Sequence, residues 1–234
     1  MIKEAIILTS GRSQSLGGKE LPISMLRFND KHLLEYQLNY LDFYGVNHVI
    51  LAVGDDQKLI YGFFGNKYKS IEIEYCENSH VLGTGGALKK AFESVIGHTV
   101  FALSGDLFFD VNLTRFEDFR RMREAALCIA TRFIDSTTRL GSVVVNEQNR
   151  ITGFSDNVDP YSDDFMNGGF YCIKSAYFMN KNTPEVFSFE KEFLEENYKS
   201  DPFYGYRCYS TFLDLATSID CKRAANEFSK LPYR

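Results

Sequence analysis

Two glycine-rich turns and an aspartate at the end of an apolar run are the parts of this chain best suited to chemistry. The first turn, residues 9–18, reads TSGRSQSLGG and follows the apolar run Glu4–Leu8. The second reads LGTGGA over residues 82–87, and Asp106 follows Gly105 after a further apolar run. Glycines let backbone N–H groups approach phosphate oxygens or a flat base, and a strand-end carboxylate is suited to Mg²⁺. The combination indicates a site for a nucleoside triphosphate and a metal ion.

Each of these features also has a simpler interpretation when it stands alone. Glycines are common in turns between strands and helices, and the first turn matches neither a Gly-Lys-Ser/Thr ending nor a complete GxGxxG pattern. Asp106 could cap the turn after its strand. Asp214, in the run Phe212–Leu215, could be a surface or capping residue. The residues by themselves leave these alternatives open.

The elements that must position these residues alternate between strand and helix in the first half of the chain. Apolar runs typical of parallel strands buried on both faces occupy residues 4–8, 48–53 and 100–103. Helical spacing covers residues 33–41, 58–67 and 88–95, and residues 71–75 alternate as a half-exposed or edge strand does. Strand–helix–strand units cross over with a right hand, so this order predicts a parallel sheet covered by helices on both faces. Ligands of such sheets bind at the carboxyl ends of the strands.

The second half of the chain has a more antiparallel pattern. We predict strands over residues 126–133, 142–145, 151–154 and 168–173, a turn at 147–149, a polar loop at 157–164, and helices over 189–198 and 224–231. The predicted fold is α/β, a doubly wound, mostly parallel, Rossmann-like sheet with antiparallel additions. Because we find no linker or internal repeat, we predict a single domain over residues 1–234.

The composition limits the classes of function. The net charge of −5 over 234 residues argues against a nucleic-acid binder, which would present a basic face. No apolar run approaches the ~20 residues needed to cross a bilayer, so we expect a cytoplasmic protein without membrane association. The five cysteines form no CxxC pair and the four histidines have no metal-ligand spacing, which argues against a zinc site.

Five sequence blocks, in order, resemble those of the sugar-1-phosphate nucleotidyltransferases, and most of all the mannose- and heptose-1-phosphate guanylyltransferases of polysaccharide assembly. The blocks are EAIIL at 4–8, LGTGGALKKAF at 82–92, SGDLFFDVN at 104–112, MNGGFY at 166–171 and FLDL at 212–215. The resemblance covers nearly the whole chain. It implies transfer of a nucleotide from a nucleoside triphosphate, GTP by resemblance, to a hexose- or heptose-1-phosphate, with release of pyrophosphate.

The resemblance also implies roles for individual residues. It places the nucleotide against Leu8, Ser10, Gly11, Gly83, Gly85, Gly86 and Gly105, and the sugar against Gly141, Asp156, Asn167 and Gly168. Asp106 and Asp214 would hold the Mg²⁺ that bridges both substrates. No protein nucleophile is required, because positioning of the substrates and neutralisation of charge can carry such a reaction.

Three cations of the family pattern are absent from this chain. The family's first loop has an arginine where this chain has Ser15 and a lysine where it has Ile23, and a later Glu-Lys pair corresponds to Asp156-Asn157. Losing one such phosphate contact commonly costs ~10²–10³ in rate. Arg12 or Lys19 could take over the lost contacts as catalytic residues, or both could be solvated surface charges.

Functions of different classes therefore remain open. In the first, the chain is an enzyme that uses Asp106 together with Arg12 or Lys19. In the second, it is a catalytically silent homologue that binds a nucleotide or nucleotide-sugar and serves an active paralogue as a regulatory or assembly partner. A third is a related transfer to another phosphorylated or phosphonylated substrate, whose lower charge would need fewer cations. The sequence leaves open whether the chain forms a homo-oligomer or a hetero-oligomer with such a paralogue.

Overall fold

A computed structural model describes residues 1–9, 13–16, 19–55, 57–78, 82–133, 142–155 and 165–233, with only the backbone of residues 13–16 and 19–20. The strands are β1 Glu4–Leu8, β2 Ser13–Leu16, β3 Lys19–Pro22, β4 Arg27–Phe28, β5 Lys31–His32, β6 His48–Val53, β7 Lys67–Tyr68, β8 Ile71–Glu77, β9 Thr99–Ser104, β10 Leu107–Phe109, β11 Leu127–Phe133, β12 Ser142–Val145, β13 Ile151–Ser155, β14 Phe165–Lys174, β15 Phe203–Cys208 and β16 Phe212–Asp214. The α-helices are α1 Leu33–Phe43, α2 Gln57–Phe64, α3 Gly83–Phe92, α4 Leu113–Met122, α5 Ser175–Met179, α6 Glu195–Asn197 and α7 Ser218–Ser229.

A parallel core of four strands lies in the order β9-β1-β6-β8. Leu8, the last residue of β1, is in register with Ala52 on β6 and Ser104 on β9. The carboxyl ends of these three strands therefore meet at one edge of the sheet. The parallel core confirms the predicted fold class.

The second half of the chain extends this sheet with antiparallel strands. The long strand β14 pairs with β9 through its C-terminal half, with β11 along most of its length, and with β12 through its first two residues. A hairpin joins β12 to β13, and β15 runs parallel to β11 at the outer side. These strands confirm the predicted antiparallel additions and bring β14 beside the carboxyl end of β9.

The sheet is buried on both faces because its central strands are apolar without interruption. On β1, Ala5 and Ile7 belong to a core cluster that includes side chains of α1, α2, α4 and α7. Ile6, between them, belongs to a second cluster with side chains of α3, α5 and the helical turn at Phe189–Leu194. Successive side chains of a strand point to opposite faces, so a fully apolar strand serves both layers.

Helix boundaries differ from the predicted ones where a capping residue determines them. Helix α2 ends at Phe64 rather than near residue 67, because Gly65 takes a positive φ of 57° that ends the helix. Helix α7 begins at Ser218, earlier than predicted, since the Thr217 side chain accepts a hydrogen bond from Asp220 N. Helix α3 begins at Gly83, within the glycine turn, and ends at Phe92.

Among the described residues, no helix combines the length and the apolar character that a membrane span requires. The predicted loop at 157–164 lies outside the described residues.

Candidate functional site

A cleft of 560 Å³ opens at the carboxyl ends of β1 and β9. Gly105 lies at its floor and donates its backbone N–H to Leu8 O at 2.8 Å. A Cβ atom on Gly105 would lie 2.8 Å from Leu8 O and 2.9 Å from Thr9 Cα, closer than backbone atoms tolerate. The floor of the cleft therefore requires glycine at this position, because two backbone segments touch there.

Asp106 and Asp214 both line this cleft, although they are far apart in the chain. They meet because β10 and β16 form a two-stranded antiparallel ladder in which Leu107 lies opposite Asp214. The ladder is extended by a hydrogen bond of 3.0 Å from Leu215 N to Asp106 O. Asp106 is half-buried and Asp214 is buried, with 8% of its surface exposed.

A second aspartate supports Asp214 from helix α7. The Asp220 carboxylate accepts a hydrogen bond of 2.7 Å from Asp214 N and forms an ion pair of 2.8 Å with Arg223 Nε. The side chain of Asp214 itself accepts from Ala216 N at 3.0 Å. These contacts orient the end of β16 towards the cleft.

Gln37, on helix α1, supports the turn that carries Asp106. Its side-chain amide is buried and donates to Ser104 O at 2.8 Å and to Leu107 O at 2.7 Å. The carbonyl groups on either side of the Gly105-Asp106 turn, those of Ser104 and Leu107, are therefore held by one side chain. Buried carbonyl groups without a partner are unfavourable, so this amide stabilises the turn.

A hydrogen-bonded chain of four side chains crosses the opposite wall of the cleft. Asn167 donates from its amide to the Tyr171 hydroxyl at 2.9 Å, and Tyr171 donates to Glu190 Oε1 at 3.2 Å. Glu190 Oε2 accepts from Thr84 Oγ1 at 2.6 Å. Burial, together with the nearby Glu190 carboxylate, raises the pKa of Tyr171 well above its ordinary value, so the hydroxyl stays protonated and keeps donating.

The charged residues that line the described part of the cleft are mostly acidic. They are Asp106, Glu190, Lys191, Glu195 and Asp214. The single lysine lies 3.3 Å from Glu195 in an exposed ion pair. Like charges in a partly buried cleft repel one another, so this arrangement favours a cation over a bare anion.

The structure describes only some of the positions at which the family pattern has a cation and this chain does not. Ile23 lines the cleft and is 2% exposed. Ser24, the next residue, also lines the cleft, and its buried hydroxyl has no hydrogen-bond partner among the described residues. The side chains of Ser15 and Lys19 lie outside the described part of the chain, as does Asn157.

Of the predicted site residues, the cleft brings together five, which are Leu8, Gly105, Asp106, Asn167 and Asp214. Gly85 and Gly86 are buried instead beneath residues 185–187, where Gly85 N donates to Phe187 O at 2.9 Å. A Cβ on Gly85 would overlap the Phe187 ring, and one on Gly86 would overlap Glu185 O. Both glycines therefore pack against the chain itself.

Two further predicted residues do not line the cleft in the described structure. Gly83 begins α3 with a positive φ of 69° and is exposed. Gly168 packs beneath the cleft, where a Cβ would overlap the Phe109 ring. Gly169, which sequence analysis did not select, lines the cleft in its place. Ser10, Gly11, Arg12, Gly141 and Asp156 lie outside the described residues.

Four further polar residues support or line the site without having been predicted from the sequence: Gln37, Thr84, Tyr171 and Glu190. Gln37 and Glu190 lie outside the marked sequence blocks, and their roles depend on contacts between distant elements. Thr84 and Tyr171 are different, because they lie inside the blocks LGTGGA and MNGGFY that the sequence pattern already marked. Polar residues inside those blocks could have been selected as candidates.

Comparison with known proteins identifies relatives over almost the full length of the chain. The chain is 34% identical to a D-glycero-α-D-manno-heptose 1-phosphate guanylyltransferase of Aneurinibacillus thermoaerophilus, over 96% of this chain and 97% of that protein. It is 35% identical to one of Campylobacter jejuni, over 84% and 86% of the two chains. The crystal structure of HddC from Yersinia pseudotuberculosis has the same fold, with a TM-score of 0.84 at 20% identity, covering 97% of this chain and 100% of that one. No protein-family model matched the chain.

We predict that Gly105→Ala destabilises the protein by ~1–3 kcal/mol, since the new methyl group must displace Leu8 or Thr9 backbone. Urea unfolding would measure the change. Gly153→Ala is the matched control, because a Cβ there meets Val144 at 3.7 Å, an ordinary contact. Equal stability of the two variants would contradict the tight approach at the cleft floor.

Proposed function

We infer that this chain, which belongs to the sugar-1-phosphate nucleotidyltransferase family, transfers a nucleotidyl group to a sugar 1-phosphate and releases pyrophosphate. The observation that carries the proposal is the meeting of Asp106 and Asp214 in one cleft at the carboxyl ends of the parallel strands. Relatives named as heptose-1-phosphate guanylyltransferases support GTP as the nucleotide and a heptose or hexose as the sugar.

In the proposed reaction an oxygen of the sugar 1-phosphate attacks the α-phosphorus of the nucleoside triphosphate. The new P–O bond joins sugar phosphate and nucleotide, and the bond to the β-phosphate breaks to release pyrophosphate. No covalent bond to the protein forms. The contribution of this chain is to hold the attacking oxygen, the α-phosphorus and the leaving pyrophosphate in line.

The two aspartates fit a magnesium ion. Mg²⁺ is usually bound through one or two carboxylates plus substrate phosphates and water, so a pair of aspartates suffices. Among the described residues, no group of three or more acidic, histidine or cysteine side chains could hold a metal ion, so the remaining ligands of Mg²⁺ would be phosphate and water. When bound, Mg²⁺ would offset part of the negative charge of a triphosphate. Asp220 and Gln37 keep the two carboxylates in place.

The sugar is proposed to lie against the wall that carries Asn167. Two hydrogen bonds fix the orientation of the Asn167 side-chain amide, since its oxygen accepts from Gly169 N at 2.9 Å and its nitrogen donates to the Tyr171 hydroxyl. One N–H of that amide stays available to a ligand, and the Glu190 carboxylate has lone pairs beyond those it already uses. A donor and a negatively charged acceptor on one wall suit the hydroxyl groups of a sugar.

The remaining predicted contacts are part of the same proposal. Ser10 and Gly11 would lie at the base and phosphates, Gly141 and Asp156 at the sugar, and Arg12 or Lys19 at the phosphates in place of the absent family cations. A cytoplasmic location and assembly with a second copy or an active paralogue stay predictions.

A second candidate function is favoured by the charge of the cleft. Its described lining holds four carboxylates and one lysine, and Ile23 lies buried at the position of a family lysine. A protein of this kind could bind a nucleotide or nucleotide-sugar together with Mg²⁺ and not turn it over. Such a homologue would act as the partner of an active paralogue.

We predict magnesium-dependent release of pyrophosphate from GTP and a mannose or heptose 1-phosphate, measured across a panel of triphosphates and sugar 1-phosphates. Asp106→Asn and Asp214→Asn should each reduce the rate at least ~10²-fold, because a carboxylate is lost from the phosphate site. Asp118→Asn is the control, since Asp118 pairs with Arg121 on the exposed side of α4. Binding of GTP without turnover in folded wild-type protein would instead favour the silent homologue.

The compensation by Arg12 or Lys19 has its own test in the same assay. If either side chain contacts a phosphate, its replacement by alanine should lower kcat/KM by ~10²–10³. Lys58→Ala, on the exposed face of α2, should leave the rate unchanged. Wild-type rates in both Arg12→Ala and Lys19→Ala would refute the compensation.

For the sugar wall, we predict that Glu190→Gln raises the KM of the sugar 1-phosphate about tenfold and leaves the KM of GTP unchanged. The reason is that a hydrogen bond to a charged acceptor contributes ~1.5–3 kcal/mol. Glu196→Gln, an exposed change in the following turn, should alter neither constant. If both KM values rise together in Glu190→Gln, Glu190 does not act on the sugar.

A further inference from the structure

Ser24 carries a buried hydroxyl whose hydrogen bond is missing. It lies in the short 3₁₀ turn Ile23–Met25, directly after β3, and only 1% of its surface is exposed. Its Oγ has no hydrogen-bond partner among the described residues. Buried polar groups are paired in the great majority of cases, so each exception calls for an explanation.

The location of this hydroxyl indicates a ligand. Of the residues that line the cleft in the described structure, Ser24 alone carries a buried side-chain atom without a partner. Its neighbours in the turn, Ile23 and Met25, are apolar and buried and offer no side-chain oxygen or nitrogen. By contrast, the Thr9 hydroxyl, also at the cleft, is satisfied by Ala52 O at 2.9 Å. The Ser24 hydroxyl therefore has an unused hydrogen-bonding capacity at a residue that lines the cleft.

We propose that the Ser24 hydroxyl donates a hydrogen bond to a phosphate oxygen of the nucleoside triphosphate, next to the position where the family lysine is replaced by Ile23. The proposal rests on the function proposed above and adds a binding residue to it. Ser24 shares the cleft with Thr9 and Gly105, at the strand ends where sheets of this type bind phosphorylated ligands.

A hydroxyl suits this place for a physical reason. An ammonium group buried beside Ile23 would have to lose its hydration, which is unfavourable unless an anion is present. A hydroxyl is neutral, so leaving it buried in the ligand-free protein costs much less. When a phosphate enters, the hydroxyl makes a charge-assisted hydrogen bond, which is stronger than one between neutral groups. Ser24 thus provides a phosphate donor without a permanent buried charge.

The test uses the full chain with Ser24→Ala. It measures the stability of the ligand-free protein, which should not fall, and the affinity for GTP, which should fall. Without nucleotide, removal of an unpaired hydroxyl should leave the urea unfolding midpoint unchanged or raise it. With Mg²⁺, calorimetry should show affinity for GTP about tenfold weaker, and affinity for guanosine unchanged. Ser142→Ala is the matched control, because Ser142 lines the same cleft but its hydroxyl is already bonded to Ser155 O.

Three results would overturn the proposal. Unchanged GTP affinity in Ser24→Ala would mean that the hydroxyl does not contact the ligand. An equal loss for guanosine and GTP would assign the hydroxyl to the nucleoside rather than to a phosphate. A lower unfolding midpoint of the ligand-free variant would mean that Ser24 has a partner within the chain. Failure of wild-type protein to bind any nucleotide would overturn the proposed function itself, which separates that failure from the other three.

Discussion

The site depends on the backbone ladder between β10 and β16. This ladder is only three residues long on each strand, yet it places Asp214 opposite Leu107 and beside Asp106. Without it the chain would hold two unrelated strand-end aspartates. At the end where Leu107 lies opposite Asp214, each strand of the ladder is supported by a side chain outside the cleft, β10 by Gln37 and β16 by Asp220. Two carboxylates that line one cleft both favour a cation, and a bound cation lowers their electrostatic energy. The geometry thus favours binding of a metal with its phosphate ligand.

The absent cations matter for the same electrostatic reason. A triphosphate brings several negative charges into a cleft whose described lining is already acidic. The family resemblance implies fixed cations in this region, whereas this chain has Ile23 at one of those positions and, at Ser24, a hydroxyl without a partner among the described residues. Neutral hydrogen-bond donors and a metal ion can stabilise part of the negative charge of the triphosphate. In an active enzyme Arg12 or Lys19 would stabilise the rest of that charge, and in a silent binder they would not.

Glu190 links the elements that form the wall carrying Asn167. This residue joins Thr84, at the start of α3, to Tyr171 and Asn167 on β14. Its position depends on the helical turn Phe189–Leu194, which follows the segment that covers Gly85 and Gly86. The second glycine turn therefore has a packing role as well as a place near the cleft. Small residues there let the chain approach closely enough for Thr84 and Glu190 to meet.

Local sequence determined much of the fold and some of the site. The apolar runs at β1, β6 and β9 marked the buried parallel strands, because a strand covered on both faces must be apolar throughout. The ordered blocks identified the family, and with it Asp106, Asp214 and Asn167. Only the tertiary structure decided which glycines face the cleft, since Gly85, Gly86 and Gly168 all lie against the chain itself. It alone also revealed Gln37, Glu190 and the unpaired hydroxyl of Ser24. Their roles arise from contacts between elements distant in sequence, and no local pattern of residue types records which partners the folded chain brings within hydrogen-bond distance.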